Sequence, residues 1–447
     1  MDFRKFFLIA FLFMNINLSA QEKKTADAIL DDERFEVVRQ KGLDLLSTGF
    51  NAGSGYQEVW IRDFNTFITY SLKVRPQEEV RDVLLKFLYF QGFDGNIIDG
   101  YQQIAEDERI DYYGRYERYD MPGYAFHKNT VETDQETSLV QAFYKYISAT
   151  GDKTILHEEI NGKSAIDRLE LAMNFLMKHR FNERYGLLWG ATTADWGDVQ
   201  PGHPWGVKLD ENSIPAIDIY DNALFLIGID NFMELIDWFV EKEAFLAESR
   251  QERWEKTKKR WEKRRKEVMK NIRQYLWDEE NQKFIPHVYI SAKAFPMVEN
   301  ENSIFYHGGT AVAIQAGILS RGEIKVSLEK MRDNVNSANA QSIGLTLYPV
   351  YPEGSFMNKG MGPWSYQNGG DWTWFGARMV TALAENGFIE EAYEELDPMI
   401  ERVIRNDGFF EWYTIDGQPR GSGLFRGSAG VLMEAMEVLL TWAKDYK

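Results

Sequence analysis

The sequence predicts an all-α protein of roughly twelve helices, paired so that their connecting loops gather at one end. Three observations lead there. Apolar residues recur at helical spacing through most of the chain. Alternating β-branched runs, which would announce strands, are few. Similar connectors also recur where helices end, each with an acidic or amide residue, glycine and aromatics: FNERYGLLWG at 181–190, YLWDEENQKFIPH at 275–287 and IRNDGFFEWY at 404–413. Their spacing is too irregular for a solenoid array, so they point to paired helices whose loops gather at one end. Twelve helices alternating between inner and outer positions would close as six hairpins.

Taken in order, residues 1–20 have a short charged start (Arg4, Lys5), an apolar run from Phe6 to Met14 and Leu18-Ser19-Ala20 before Gln21. This is the layout of a secretory signal, cut after Ala20, with an apolar run too short for an ordinary membrane anchor. An exported protein, periplasmic or secreted, is therefore expected. Residues 21–32 are polar and read as a loose leader, and 33–447 read as one catalytic domain. Helical periodicity marks 33–47, 64–92, 133–148, 164–180, 217–240, 306–319, 325–333, 370–386, 388–404 and 427–444. Segment 256–267, KTKKRWEKRRKE, is the densest basic run; its interspersed glutamates favour a solvated helix with i,i+4 pairs over a nucleic-acid helix.

Composition narrows the chemistry. The 447 residues are 44% hydrophobic and 27% charged, with 13 Trp, 22 Tyr and 29 Phe, as in a folded chain rich in flat side chains. Some of those aromatics lie beside Gly, Asp and Asn in connectors, where sugar-stacking platforms become an alternative to core packing. The net charge of -18 disfavours nucleic acid, which needs concentrated positive charge. Beyond the leader no run approaches the ~18 apolar residues of a membrane span. Cysteine is absent, so disulfides, cysteine nucleophiles and cysteine zinc sites are excluded. The six histidines form no HExxH pair, and neither a GxSxG elbow nor a Walker loop occurs. No cofactor or metal is expected.

What remains is a density of carboxylates in aromatic, glycine-rich connectors. Glycoside hydrolysis needs one protonated carboxyl to protonate the leaving oxygen and one carboxylate to activate water or attack carbon. Segment 187–206 carries Asp195 and Asp198 around Trp196 and Gly197, and could equally be an acidic turn with Asp195 as a helix cap. Segment 406–430 places Glu411 between Phe410 and Trp412 before a glycine-rich loop. Segment 58–68 holds Trp60, Arg62 and Asp63 at the head of an apolar helix, either as a structural salt bridge or for sugar recognition. Segment 129–140 adds Glu132, Asp134 and Gln135, and 362–377 adds Trp364, Gln367, Asn368, Asp371, Trp372 and Trp374.

From about residue 35 onward these segments resemble the six-hairpin, (α/α)6-barrel glycosidases, the group of glycogen-debranching glucosidases, neutral invertases, trehalases and processing α-glucosidases. WIRDFNTFI is similar to the group's W-x-R-D segment, TDQETSLV to its Asp-containing helix start, and ADWGDVQ followed by AIDIYDNALFLIG to its Trp-x-Asp segment and following helix. YQNGGDWTWFGA resembles the Y-x-N-G-x-x-W-P loop, and FEWYTIDGQPRG the C-terminal segment that supplies a glutamate. The resemblance implies an inverting hydrolase with Asp198 as general acid, Asp195 as fallback, and Glu411 as general base. It also implies a short or terminal, neutral α-linked glucoside or related sugar as substrate. Arg62, Asp63 and Asp134 would bind sugar hydroxyls, Gln367 and Asn368 would line the pocket, and Trp60, Trp196 and Trp372 would form stacking walls. Thr373 stands where proline is frequent, and Asp218 and Asp221 replace the usual glutamate. An unsaturated-uronide hydrolase or polysaccharide lyase on the same barrel, and a non-catalytic carbohydrate-binding protein, are the rival readings.

Overall fold

Helix after helix in this chain either is apolar on most of its circumference or carries one apolar stripe, and the two kinds alternate. The computed structural model describes residues 21–105, 123–127, 130–204, 208–242 and 248–446. The leader at 1–20 and the side chain of His127 lie outside the described residues. Residues 21–30 form helix α1. Among the described residues twelve helices follow: α2 Arg34–Leu46, α3 Ile61–Ser71, α4 Gln77–Tyr89, α5 Gln135–Thr150, α6 Ala165–His179, α7 Ile219–Lys242, α8 Glu248–Tyr275, α9 His307–Gln315, α10 Arg321–Ala338, α11 Thr373–Glu385, α12 Ile389–Arg405 and α13 Arg426–Tyr446.

The odd-numbered helices from α3 to α13 form the inner ring. Each packs on the next, and α13 packs back on α3, which closes the ring. Burial explains the sorting. In α9 every residue from His307 to Ile314 is buried, and α11 is buried from Thr373 to Ala384 except Arg378, whereas outer helix α10 buries only Ile324, Ser327, Leu328, Met331 and Ala338. A helix buried all round must sit between neighbours; one with a single stripe covers them from outside. The fold is therefore the all-α (α/α)6 barrel expected. The short strands make two- and three-stranded antiparallel patches, all in the connectors.

Local chemistry sets the helix ends. A capping box of Ser320 and Glu323 starts α10, Ser164 caps α6, and Gly151 at φ 71 ends α5. Three expectations need correction. The apolar stretch 64–92 is two helices, because Pro76, with ψ of 135°, starts α4 afresh. Residues 21–30 are not a loose leader: Ala26 and Ile29, one turn apart, are buried against the core. The basic helix α8 keeps i,i+4 pairs such as Lys263–Glu267, but its closer pairs reach other helices, with Arg253 on Asp167 at 2.6 Å and Lys258 on Asp237 at 2.5 Å, while Trp254 and Trp261 anchor its inner face. Among the described residues no helix is long and apolar enough to cross a membrane.

Candidate active site

The first turns of the inner helices meet at one end of the ring, and five of the carboxylate-rich connectors empty there. Arg62 in α3 reaches Asp134, the N-cap of α5, and the hydroxyl of Tyr220 in α7 donates to the same carboxylate at 3.1 Å. Asp195 accepts from the backbone N–H groups of Gly308 and Gly309, at 2.7 and 2.8 Å, in the first turn of α9. A carboxylate there satisfies orphan donors and faces the positive helix end. The approach is close enough to require glycine: a Cβ on Gly308 would lie 2.2 Å from the Trp196 ring. Burial pushes Asp195 up to about 8, against the pull of its two N–H donors.

With Asp195 holding the loop to α9, Asp198 stands three residues on and half-buried, and its Oδ1 accepts from Gln367 Nε2 at 2.9 Å. Opposite it, Glu411 lies on the hairpin formed by Phe410–Tyr413 and Pro419–Gly423. Glu411 is only 4% exposed. Its Oε1 accepts from Tyr56 at 2.9 Å and Tyr366 at 3.4 Å, and its Oε2 from the Ser422 N–H at 2.7 Å. Gly421 makes this possible, since at φ 67 its Cβ position would lie 2.4 Å from Oε2. Burial raises the Glu411 pKa, the three donors pull it down, and the charge of Asp198 raises it again. The two carboxylates thus feel each other.

Arg62 forms the third part of the site. It bonds Asp99 at 2.6 Å and lies 3.2 Å from Glu132 and 3.6 Å from Asp134. Burial opposes its charge, but those carboxylates outweigh burial and hold its pKa well above the ordinary value. Asp63, buried beside it, is pushed by burial to about 7, and its Oδ1 has no hydrogen-bond partner among the described residues. Burial likewise raises Asp134 to about 7, Asp221 to about 8, and Glu132 well above its usual value. Among the described residues no three acidic or histidine side chains are placed to hold a metal ion.

Arg62, Asp63, Asp134, Gln367, Asp198 and Glu411 are therefore brought to one end of the barrel. Other expected residues are used differently. The Asn368 amide is spent on backbone, accepting from Tyr351 N and donating to the carbonyls of Tyr351 and Met361. Trp196 and Trp372 are 5% and 2% exposed. Trp196 stacks on Phe375 at 4.3 Å and meets Trp372 edge-on at 4.6 Å, so both rings build the floor beneath the site instead of offering a face. Trp60 is half-buried at the start of α3, over Gly100. The expected Arg62–Asp63 ion pair is replaced by pairing with Asp99, Glu132 and Asp134. Sequence reasoning missed Tyr56, Asp99, Tyr366 and Ser422; Tyr56, Asp99 and Ser422 each stand next to a glycine and Tyr366 lies two residues from Trp364, a local pattern too common in this chain to single them out.

No family model matches the sequence, and no curated protein sequence matches it. Solved structures share the fold. An uncharacterized conserved protein from Thermus thermophilus superposes with a TM-score of 0.61 at 17% identity, covering 89% of this chain and 99% of that one. The GH63 mannosylglycerate hydrolase of the same organism, solved with glucose, gives 0.59 at 16% identity over the same shares. A rhamnosidase from Klebsiella oxytoca with rhamnose bound gives 0.56 at 11% identity, covering 90% of this chain and 63% of that one. The chain thus shares its six-hairpin barrel fold with these solved structures, at low sequence identity.

Proposed function

We propose that the protein is an inverting glycoside hydrolase acting on a short or terminal, neutral α-linked glycoside. The observation that carries this reading is the pairing of Glu411, bound by Tyr56, Tyr366 and the Ser422 N–H, with Asp198, bound by Gln367, at the end of a barrel whose structural neighbours include a mannosylglycerate hydrolase and a rhamnosidase. Asp198 passes its proton to the glycosidic oxygen as the bond to the anomeric carbon breaks. Water attacks that carbon from the opposite face and gives its proton to Glu411. Burial raises the Glu411 pKa overall, while its three donors favour the ionised form a base needs, and Gln367 occupies Oδ1 of Asp198, which leaves Oδ2 to meet the glycosidic oxygen. Asp195, with both oxygens on α9, is the structural carboxylate of the loop. Arg62, Asp63 and Asp134 bind sugar hydroxyls. A uronide substrate would need cations to spare; Arg62 already faces three carboxylates.

The test is proton NMR of the full chain with neutral α-glucosides, α-mannosides and α-rhamnosides, following the anomer first released. The inverted anomer supports the reading, with Asp198→Asn and Glu411→Gln each lowering turnover by about 10²-fold or more. Retained configuration, or variants that keep full rate, would overturn the assigned roles.

A further inference from the structure

Two consecutive residues touch the two carboxylates. The Tyr366 hydroxyl donates to Glu411 Oε1 at 3.4 Å, and the Gln367 amide donates to Asp198 Oδ1 at 2.9 Å. Between them lies one peptide bond. Resting on the reading of Asp198 and Glu411 as acid and base, we propose that the Tyr366-Gln367 dipeptide is the spacer that fixes the two carboxylates relative to each other. Both are positioning residues, and Gln367 acts on the acid instead of serving only as a wall for sugar.

The backbone here is built for rigidity. Tyr366 has φ 49 and Trp364 φ 64, left-handed values that bulky aromatic residues rarely adopt. Such strain persists where surroundings over-determine it. The Tyr366 carbonyl accepts from the Gly370 N–H and from Trp372 Nε1, both at 3.0 Å. Gly370 is needed for this, because its Cβ position lies 2.3 Å from that carbonyl oxygen. Asn368, the next residue, is tied through its side-chain amide to the backbone of Tyr351 and Met361. That use of Asn368 explains its absence from the pocket: it holds the spacer. The Gln367 amide is wedged against the acid loop itself, with Oε1 2.5 Å from where a Cβ on Gly197 would sit. Glycine immediately before Asp198 lets the amide reach the carboxylate.

The two arms make different predictions. Gln367 serves proton donation to the leaving group, so its loss should hurt substrates that need that proton. Tyr366 serves the base, which every substrate needs. The full chain and the variants Gln367→Leu and Tyr366→Phe are assayed on α-glucosyl, α-mannosyl and α-rhamnosyl fluorides, whose leaving group needs little protonation, and on the matching methyl glycosides. Gln367→Leu is expected to lower kcat on the methyl glycoside about tenfold or more, and on the fluoride by less than about threefold. Tyr366→Phe is expected to lower both and to move the acidic limb of the rate profile to higher pH, because the lost donor was holding the Glu411 pKa down.

Equal loss on both substrates in Gln367→Leu, or full rate in Tyr366→Phe, overturns the proposal. If the unsubstituted protein turns over no probe, the hydrolase reading fails separately, and crystal structures of the variants decide the spacer. Asp198 and Glu411 unmoved in both variants overturn it; a displaced or multiply oriented carboxylate, Asp198 in one and Glu411 in the other, supports it.

Discussion

Glu411 shows how a single carboxylate is tuned by opposed terms. Burial favours its neutral form; two phenols and a backbone N–H favour its ionised form. Tyr56 itself stays a phenol, since burial and the Glu411 charge push its own pKa far up. A hydrogen bond to a charged group contributes roughly 1.5–3 kcal/mol, enough to move a pKa by about one unit or more. Tyr56→Phe removes the shorter phenol bond. If Glu411 is the base, its pKa rises and activity is lost at a higher pH on the acidic side. The expected result is an acidic limb displaced upward by about one pH unit, with the alkaline limb unmoved. An unmoved acidic limb would mean that Tyr56 is only a neighbour. The carboxylates were legible in the sequence because their residue types and glycine-aromatic surroundings are local. Tyr56 was not, because it lies 355 residues from Glu411 and meets it only when the ring closes. Gln367 and Asn368 carry the same local signal, yet one faces Asp198 and the other faces backbone; the left-handed turn before them decides that.

At the scale of elements, the base hairpin is held by a buried ion pair at the start of α11. Asp371 exchanges two backbone hydrogen bonds with Tyr413, both at 2.8 Å, while its side chain accepts from Ser342 and from Arg402 of α12 at 2.7 Å. Arg402 also donates to Thr373 and lies over the Tyr413 ring at 4.2 Å. Both charged side chains are 1% exposed. Removing one partner of such a pair strands the other charge, at a cost of about 3–5 kcal/mol, whereas replacing both by apolar groups costs much less. Urea unfolding of Asp371→Asn should show a loss in that range, and Asp371→Leu/Arg402→Met should recover part of it. Equal stability of the single variant and the original would rule out the pair as the tie. That the chain is mostly helical, with roughly twelve helices, was legible, since an apolar stripe at helical spacing is a local signal; which helices lie inside the ring depends on how they pack. The break at Pro76 was hidden by apolar residues on both sides, and α1 by its polar surface, which exposes half of its residues and buries Thr25, Ala26 and Ile29.

Across the whole molecule, the convergence of inner-helix N-termini explains why one end tolerates so many acids. Each helix start carries a partial positive charge, and Asp63, Asp134, Asp195 and Asp221 all lie at or near such starts. Burial nevertheless pushes Asp63 and Asp134 to about 7 and Asp221 to about 8. An unfolded Asp titrates near ~3.9, so between that pH and the folded values the native state binds more protons than the unfolded state. Stability must then fall as pH rises from about 4 and level off above about 8. Three such groups acting in full, at about 1.4 kcal/mol per pH unit each, would remove most of a domain's ~5–15 kcal/mol. These acids share one site and their ionisations are linked, so the expected net slope is about 1 kcal/mol per pH unit, less than the sum of three independent groups. Urea midpoints measured at pH 5, 6.5 and 8 should decline in that order. Asp221→Asn, which cannot ionise, should flatten the decline while retaining an acceptor for the Thr133 N–H that Asp221 now bonds at 3.3 Å. Midpoints that stay level from pH 5 to 8 would show that the six converging helix ends offset the burial of these carboxylates in full, so that this end of the barrel holds its own acids ionised without loss of stability.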